Sequence, residues 1–115
     1  MALDLMQTIE SIEVLENYID PIRPPENMRD KLDIGYKIEA QSIIIHEIRP
    51  FFQDKNKIIE PLIAKATYVK TQKKWKVFWM RASGKWNSYA PCETVKSLKE
   101  FVDLVEEDKY HCFWG

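Results

Sequence analysis

Residues 74–89, KWKVFWMRASGKWNSY, decide the fold. Three of the chain's four tryptophans lie here, on two runs that alternate apolar and polar residues about Ser83-Gly84. Period-two alternation around a Ser-Gly pair predicts a β-hairpin. With turns at Gln72-Lys73 and Ser83-Gly84, Lys70 pairs with Trp75 and Arg81 with Trp86. Strands over 62–70, 75–81 and 86–90 follow. One face then carries Leu62, Ala64, Ala66, Tyr68, Trp75, Val77, Trp79 and Trp86. Alanines beside indoles leave room for a packing partner, so this is the expected core face. Lys65, Thr67, Val69, Lys76, Phe78, Met80, Asn87 and Tyr89 take the other. Register carries the whole assignment, because a slip of one residue exchanges the faces.

Upstream the alternation repeats. Ile34, Tyr36 and Ile38 precede Ala40-Gln41, and Ile43 and Ile45 follow it, so Ile38 faces Ile43 and Tyr36 faces Ile45 across a second hairpin. Pro50 closes the paired part, and Asp54-Lys55-Asn56-Lys57 reads as a polar loop. Nearer the N-terminus the period becomes helical. Leu5, Ile9, Ile12, Leu15, Ile19 and Ile22 recur at steps of three and four, giving one apolar stripe. Pro21, which cannot donate a backbone N–H, should end that helix near 18–20. A short helical turn is expected from Pro25 or Glu26 through Met28 to Leu32. Downstream of Pro91, Ser97 and Glu100 form a capping-box signature ahead of a stripe of Leu98, Phe101, Val102 and Val105. That helix should fray near Asp108-Lys109, leaving an aromatic ending over 110–115. The expected fold is α+β: a five-stranded, mainly antiparallel sheet of two hairpins and a meander, flanked by an N-terminal and a C-terminal helix.

At 115 residues, with 45% hydrophobic and 30% charged residues, the chain has the size and balance of one globular domain over 1–115. A formal charge of -1 excludes bulk attraction to polyanions. The distribution is uneven, however. Only acids precede Arg23 (Asp4, Glu10, Glu13, Glu16 and Asp20), and only bases lie between Lys65 and Lys85. A basic binding face would look like this. So would strands that use lysine to keep their edges solvated, which is the plainer reading. Two cysteines, no secretory leader and no long apolar run point to a cytoplasmic location with reduced thiols and no membrane span.

Three stretches together carry a resemblance: RPPENMRDKLDIGYKIEAQSIIIHEIRP from Arg23, AKATYVKTQKKWKVFWMRASGKW from Ala64, and CFWG from Cys112. On these the chain resembles the bacterial domain-of-unknown-function family 3024, over nearly its whole length. It departs from the family at Ala40, where a glycine is expected in the first hairpin turn. The resemblance implies a compact bacterial domain. It implies no activity, cofactor or catalytic residue.

Several constellations could carry chemistry. Lys65, Lys76, Phe78 and Tyr89 form the candidate binding surface, because sheet platforms for single strands stack bases on aromatic rings and neutralise phosphate with lysine. Cover of that face by a helix, by the tail or by another copy explains the same residues. Glu10, Glu13 and Glu16 are most simply a solvated helix face, although opposite charges on helix and sheet permit head-to-face self-association or an acidic partner protein. Asp33 with Glu47-Ile48-Arg49 distantly resembles the acid and Glu-x-Lys of metal-dependent nucleases, with arginine in place of lysine. His46, Cys92, His111 and Cys112 lack the spacing of a zinc site. No Gly-rich phosphate loop or GxSxG elbow is present. No metal or cofactor is therefore expected. A non-enzymatic protein-interaction or self-associating module, possible as a homodimer, is the leading reading, and single-stranded nucleic-acid binding the alternative.

Overall fold

The computed structural model describes residues 2–114; Met1 and Gly115, the last residue of the aromatic ending, lie outside them. Two helices, α1 (Leu5–Ile22) and α2 (Leu98–Glu107), enclose seven strands in sequence. The strands are β1 (Asp33–Glu39), β2 (Ser42–Phe51), β3 (Asp54–Ile59), β4 (Leu62–Val69), β5 (Lys74–Met80), β6 (Trp86–Ser88) and β7 (Thr94–Val95). All pairings are antiparallel, in the order β1-β2-β4-β5-β6. β7 shares the β5 edge with β6, and β3 pairs only with the end of β2. The fold is α+β, with two strands more than the sequence pattern predicts. β3 was expected as a polar loop. Its side chains are nearly all exposed, so no apolar alternation marks it.

The first hairpin has the expected register, with Ile38 opposite Ile43 and Tyr36 opposite Ile45. Its turn explains the departure at Ala40. Of the two central residues, Ala40 alone has a positive φ, +52°. That is the signature of a type II′ turn, whose first central position favours glycine. Ala40 adopts the left-handed conformation at a cost of about 1–2 kcal/mol.

Between β4 and β5 the loop is longer than expected. Val69 pairs with Lys74 and Tyr68 with Trp75, two residues away from the anticipated match. A shift of two preserves side-chain parity, so Ala64, Ala66, Trp75 and Val77 still face the core. Between β5 and β6 the difference is a single residue. Arg81 N–H donates to Lys85 O at 3.0 Å and Gly84 N–H to Arg81 O at 2.9 Å, with Gly84 at φ +83°. This is a three-residue loop with a glycine bulge. Met80 therefore faces Trp86, and Phe78 faces Ser88. The strand's faces are exchanged relative to the sequence reading: Trp86 leaves the core side and Tyr89 enters it.

Both helices pack on one sheet face. Leu15, Ile43, Ile45, Val77, Phe101 and Val105 are fully enclosed there, each burial worth about 1.5–3 kcal/mol. Ser97 caps α2 by accepting from Glu100 N–H, while the Glu100 carboxylate reaches past it to Lys96 N–H. At the start of α1, Asp4 and Gln7 form a reciprocal capping box that sequence reading missed. Pro21 lies inside the last turn of α1 instead of ending it, because Arg23 N–H still closes on Ile19 O. The short helical turn is confined to Glu26–Met28.

The α1 stripe divides. Leu15 and Ile19 are buried and Ile22 half-buried, as expected, but Leu5, Ile9 and Ile12 are exposed. Ser11 and Tyr18 complete the buried side in their place. The aromatic ending folds back over the core. Asp108, at the left-handed end of α2, accepts from Phe113 N–H at 3.0 Å and Trp114 N–H at 2.9 Å, and Phe113 packs on Tyr89 with ring centres 5.0 Å apart.

Candidate functional site

On the sheet face opposite the helices, cross-strand pairing sets Ile44, Lys65, Phe78 and Ser88 in one row. Thr67 and Lys76 extend the next row, with Ser42 and Thr67 hydroxyls 2.7 Å apart. Alternation alone brings Lys65, Lys76 and Phe78 to this side. The bulge at Gly84 adds Trp86. As a result the Lys65 ammonium lies 4.8 Å from the Phe78 ring centre and 5.0 Å from that of Trp86. Partial burial between the rings lowers the Lys65 pKa from its usual value, with Glu39 pulling weakly the other way.

Tyr89 is not part of this surface. It is 2% exposed, donates its backbone N–H to Val77 O and belongs to the core cluster. The one-residue bulge is the physical reason. Ser88 takes the place opposite Phe78 that the sequence register gave to Tyr89, Trp86 comes opposite Met80 with its ring beside Lys65, and the Ser83-Gly84 pair was the signal that could have led to it. Trp79 is half-buried against the core.

His46, on the same face, is buried against Gly35, where an added Cβ would lie 3.2 Å from His46 Cε1. Glycine there makes room for the imidazole.

The other candidates are dispersed. Asp33 is bound by Arg23, whose Nε and Nη2 donate to its two oxygens at 2.8 and 2.6 Å, and it also accepts from Ile34 N–H. Glu47 lies opposite Ile34, hence on the other side of the hairpin from Asp33, and pairs with Arg49 at 3.5 Å. The two carboxylates do not converge. Cys92 and Cys112 are free thiols, and burial pushes the Cys112 thiol up, away from the thiolate a nucleophile needs. Among the described residues no group of three or more His, Cys, Asp or Glu is placed to hold a metal ion, and no helix is long and apolar enough to cross a membrane.

A second surface was hidden in the sequence by its own regularity. Leu5, Met6, Ile9 and Ile12 are 77%, 66%, 51% and 40% exposed on one flank of α1. Their spacing makes them neighbours on the helix. Glu13, Glu16 and Asp20 continue the exposed surface toward the C-terminal end of the helix.

No curated protein and no solved structure matches the chain. One family model does, over residues 4–115, and it is described as a domain of unknown function. The Trp-rich hairpin, the first hairpin and the folded-back aromatic ending all lie within that match, and the chain belongs to the DUF3024 family.

Proposed function

We propose that this chain is a non-enzymatic protein-interaction or self-associating module that docks through the N-terminal half of α1. The exposed cluster of Leu5, Met6, Ile9 and Ile12 carries the reading, because adjoining apolar groups left in water favour association. Every charged side chain on α1 is acidic, so the fitting partner offers apolar groups inside a basic rim. The opposite sheet face of a second copy has that character, with Lys65, Lys74 and Lys76 around Phe78 and Met80. Helix-to-helix pairing would instead bring acids together. Sedimentation velocity across protein concentration and salt tests this. Average mass should rise with concentration, fall as salt is added, and return to monomer in Ile9→Glu without a change in melting temperature. A chain that stays monomeric throughout, with Ile9→Glu indistinguishable from it, would end the reading.

The placement of Lys65 beside Phe78 and Trp86, with Lys76 on the same face, favours a second reading: single-stranded nucleic-acid binding. A base stacked on such a ring contributes about 1–3 kcal/mol. Fluorescence anisotropy with a labelled oligonucleotide should then show affinity that falls steeply with salt. Binding unchanged in the Phe78→Ala/Trp86→Ala double variant would exclude it.

A further inference from the structure

Toward the C-terminal end of α1, the seam between α1 and α2 opens into two adjoining cavities of about 230 and 270 Å³ that share Tyr18, Ile22 and Glu106. Ile34 and Trp114 complete the smaller one. Val14, Pro21 and Val102 give the larger an apolar wall, and Lys99 lies along it with Asp103. That lysine is spent on Asp103, its ion-pair partner one helical turn on. The folded-back ending supplies Trp114, so the smaller cavity exists only while Asp108 holds the ending in place.

The lining and the field of the smaller cavity point to one kind of ligand. Four of its five lining residues are apolar or aromatic, and two of these, Tyr18 and Trp114, offer π-systems. The fifth is Glu106, exposed at the mouth. Among the described residues neither Glu106 nor buried Asp108 has an ion-pair partner. The Tyr18 phenol registers both. Burial pushes it up to about 12, Trp114 opposes the rise, and the carboxylates of Glu106 and Asp108 add to it. A negative field in an aromatic setting, with no cation of the protein's own to balance it, complements a weakly hydrated cation.

We infer that this groove binds a quaternary ammonium ion, its charged head against Tyr18, Trp114 and Glu106 and its organic substituent along Val14, Pro21 and Val102. Ring faces attract such an ion electrostatically, and it needs no hydrogen-bond acceptor. A guanidinium carries five N–H donors, more than one carboxylate and one phenol can satisfy. A divalent metal ion prefers a shell of oxygen ligands, and this cavity offers a single carboxylate. Anions meet repulsion from Glu106. The groove lies on the flank of α1 away from Leu5, Met6, Ile9 and Ile12, so binding occurs in the monomer and does not rest on docking through that cluster.

Two-dimensional amide NMR on the full chain tests this, with three separate titrants: choline, butyltrimethylammonium, and the uncharged analogue of choline in which carbon replaces nitrogen. Choline should give saturable shifts centred on Tyr18, Glu106 and Trp114. Butyltrimethylammonium should bind about fourfold tighter for each further methylene that leaves water. The carbon analogue should bind about tenfold more weakly than choline. Glu106→Gln, which removes charge at an exposed position, should weaken choline binding about fivefold with an unchanged thermal melt, and Trp114→Leu should weaken it by a similar factor. The carbon analogue binding as well as choline, butyltrimethylammonium gaining nothing over choline, shifts that do not saturate, or choline affinity unaltered in folded Glu106→Gln would each overturn the assignment.

Discussion

Lys65 and Trp86 meet across the sheet, ammonium 5.0 Å from indole, because a single glycine adds one residue to the turn that joins β5 to β6. A Cβ built at Gly84 would meet nothing within 4 Å, so no packing against Gly84 is involved. The turn acts through backbone register alone. It also decides which aromatic residue of β6 and its continuation is surface and which is core.

Tyr89→Ala and Trp86→Ala should consequently differ strongly. Tyr89 is enclosed against Phe113, so its truncation should cost about 3–5 kcal/mol, the range for large aromatic core residues. Trp86 is half-exposed and should cost about 1–2 kcal/mol, from partial burial and the contact with Lys65. Urea unfolding of the two variants reads this directly. Equal costs, or the reverse order, would mean that the register is wrong.

Two turn substitutions should move stability in opposite directions. Gly84→Ala places a side chain at φ +83° and should destabilise by about 1–2 kcal/mol, with no steric component. Ala40→Gly removes the same strain from the type II′ turn and should stabilise by about 0.5–1 kcal/mol after the extra freedom of glycine in the unfolded chain is counted. Thermal melts of the pair check both signs.

Asp108 should matter more than its position at a helix end suggests. Its carboxylate holds the Phe113 and Trp114 amides, and Trp114 in turn adjoins Tyr18, whose phenol burial pushes up to about 12. Asp108→Ala should lose about 2–3 kcal/mol, since hydrogen bonds to a charged group are the stronger kind. It should also make the ending cleavable by protease before global unfolding. Asp108→Asn, which tolerates the left-handed conformation at φ 42° and keeps one acceptor, should lose about half as much.

What could be read from the chain depended on whether local pattern and global register coincide. The Ile38–Ile43 hairpin was legible because its strands alternate cleanly about a two-residue turn. The β4–β5 faces survived a misjudged loop because the error was even. The β6 faces did not, because a Ser-Gly pair fits both a two-residue turn and a glycine bulge, and these differ by one residue. The candidate surface inherited that ambiguity: Lys65, Lys76 and Phe78 were placed together, and Tyr89 was exchanged for Trp86. Helical periodicity likewise located a stripe on α1 without showing that only Leu15, Ile19 and Ile22 of it meet the sheet layer. Leu5, Ile9 and Ile12 lie round the helix from Ser11, Leu15 and Tyr18, on a flank the sheet layer does not cover, and the apolar stripe is wide enough to span both sides.

The Arg23–Asp33 pair predicts a particular response to acid. The guanidinium hydrogen bonds hold the Asp33 carboxyl below its ordinary value of about 3.9, burial opposes them, and the Ile34 amide adds to the lowering. Since the folded pKa is depressed, the unfolded chain binds the proton more readily. The pair's contribution is thus complete above about pH 4 and disappears as pH falls through the lowered value. Arg23 stays charged throughout, so only the carboxylate titrates in this window. Asp33→Asn should therefore melt below the wild-type protein at pH 7 and by the same margin at pH 5. The two curves should then converge as pH falls below about 4, as the wild type loses what the variant already lacks. A margin that does not narrow at all as pH is lowered below about 4 would show that the carboxylate does not stabilise the connection between α1 and β1 through its charge.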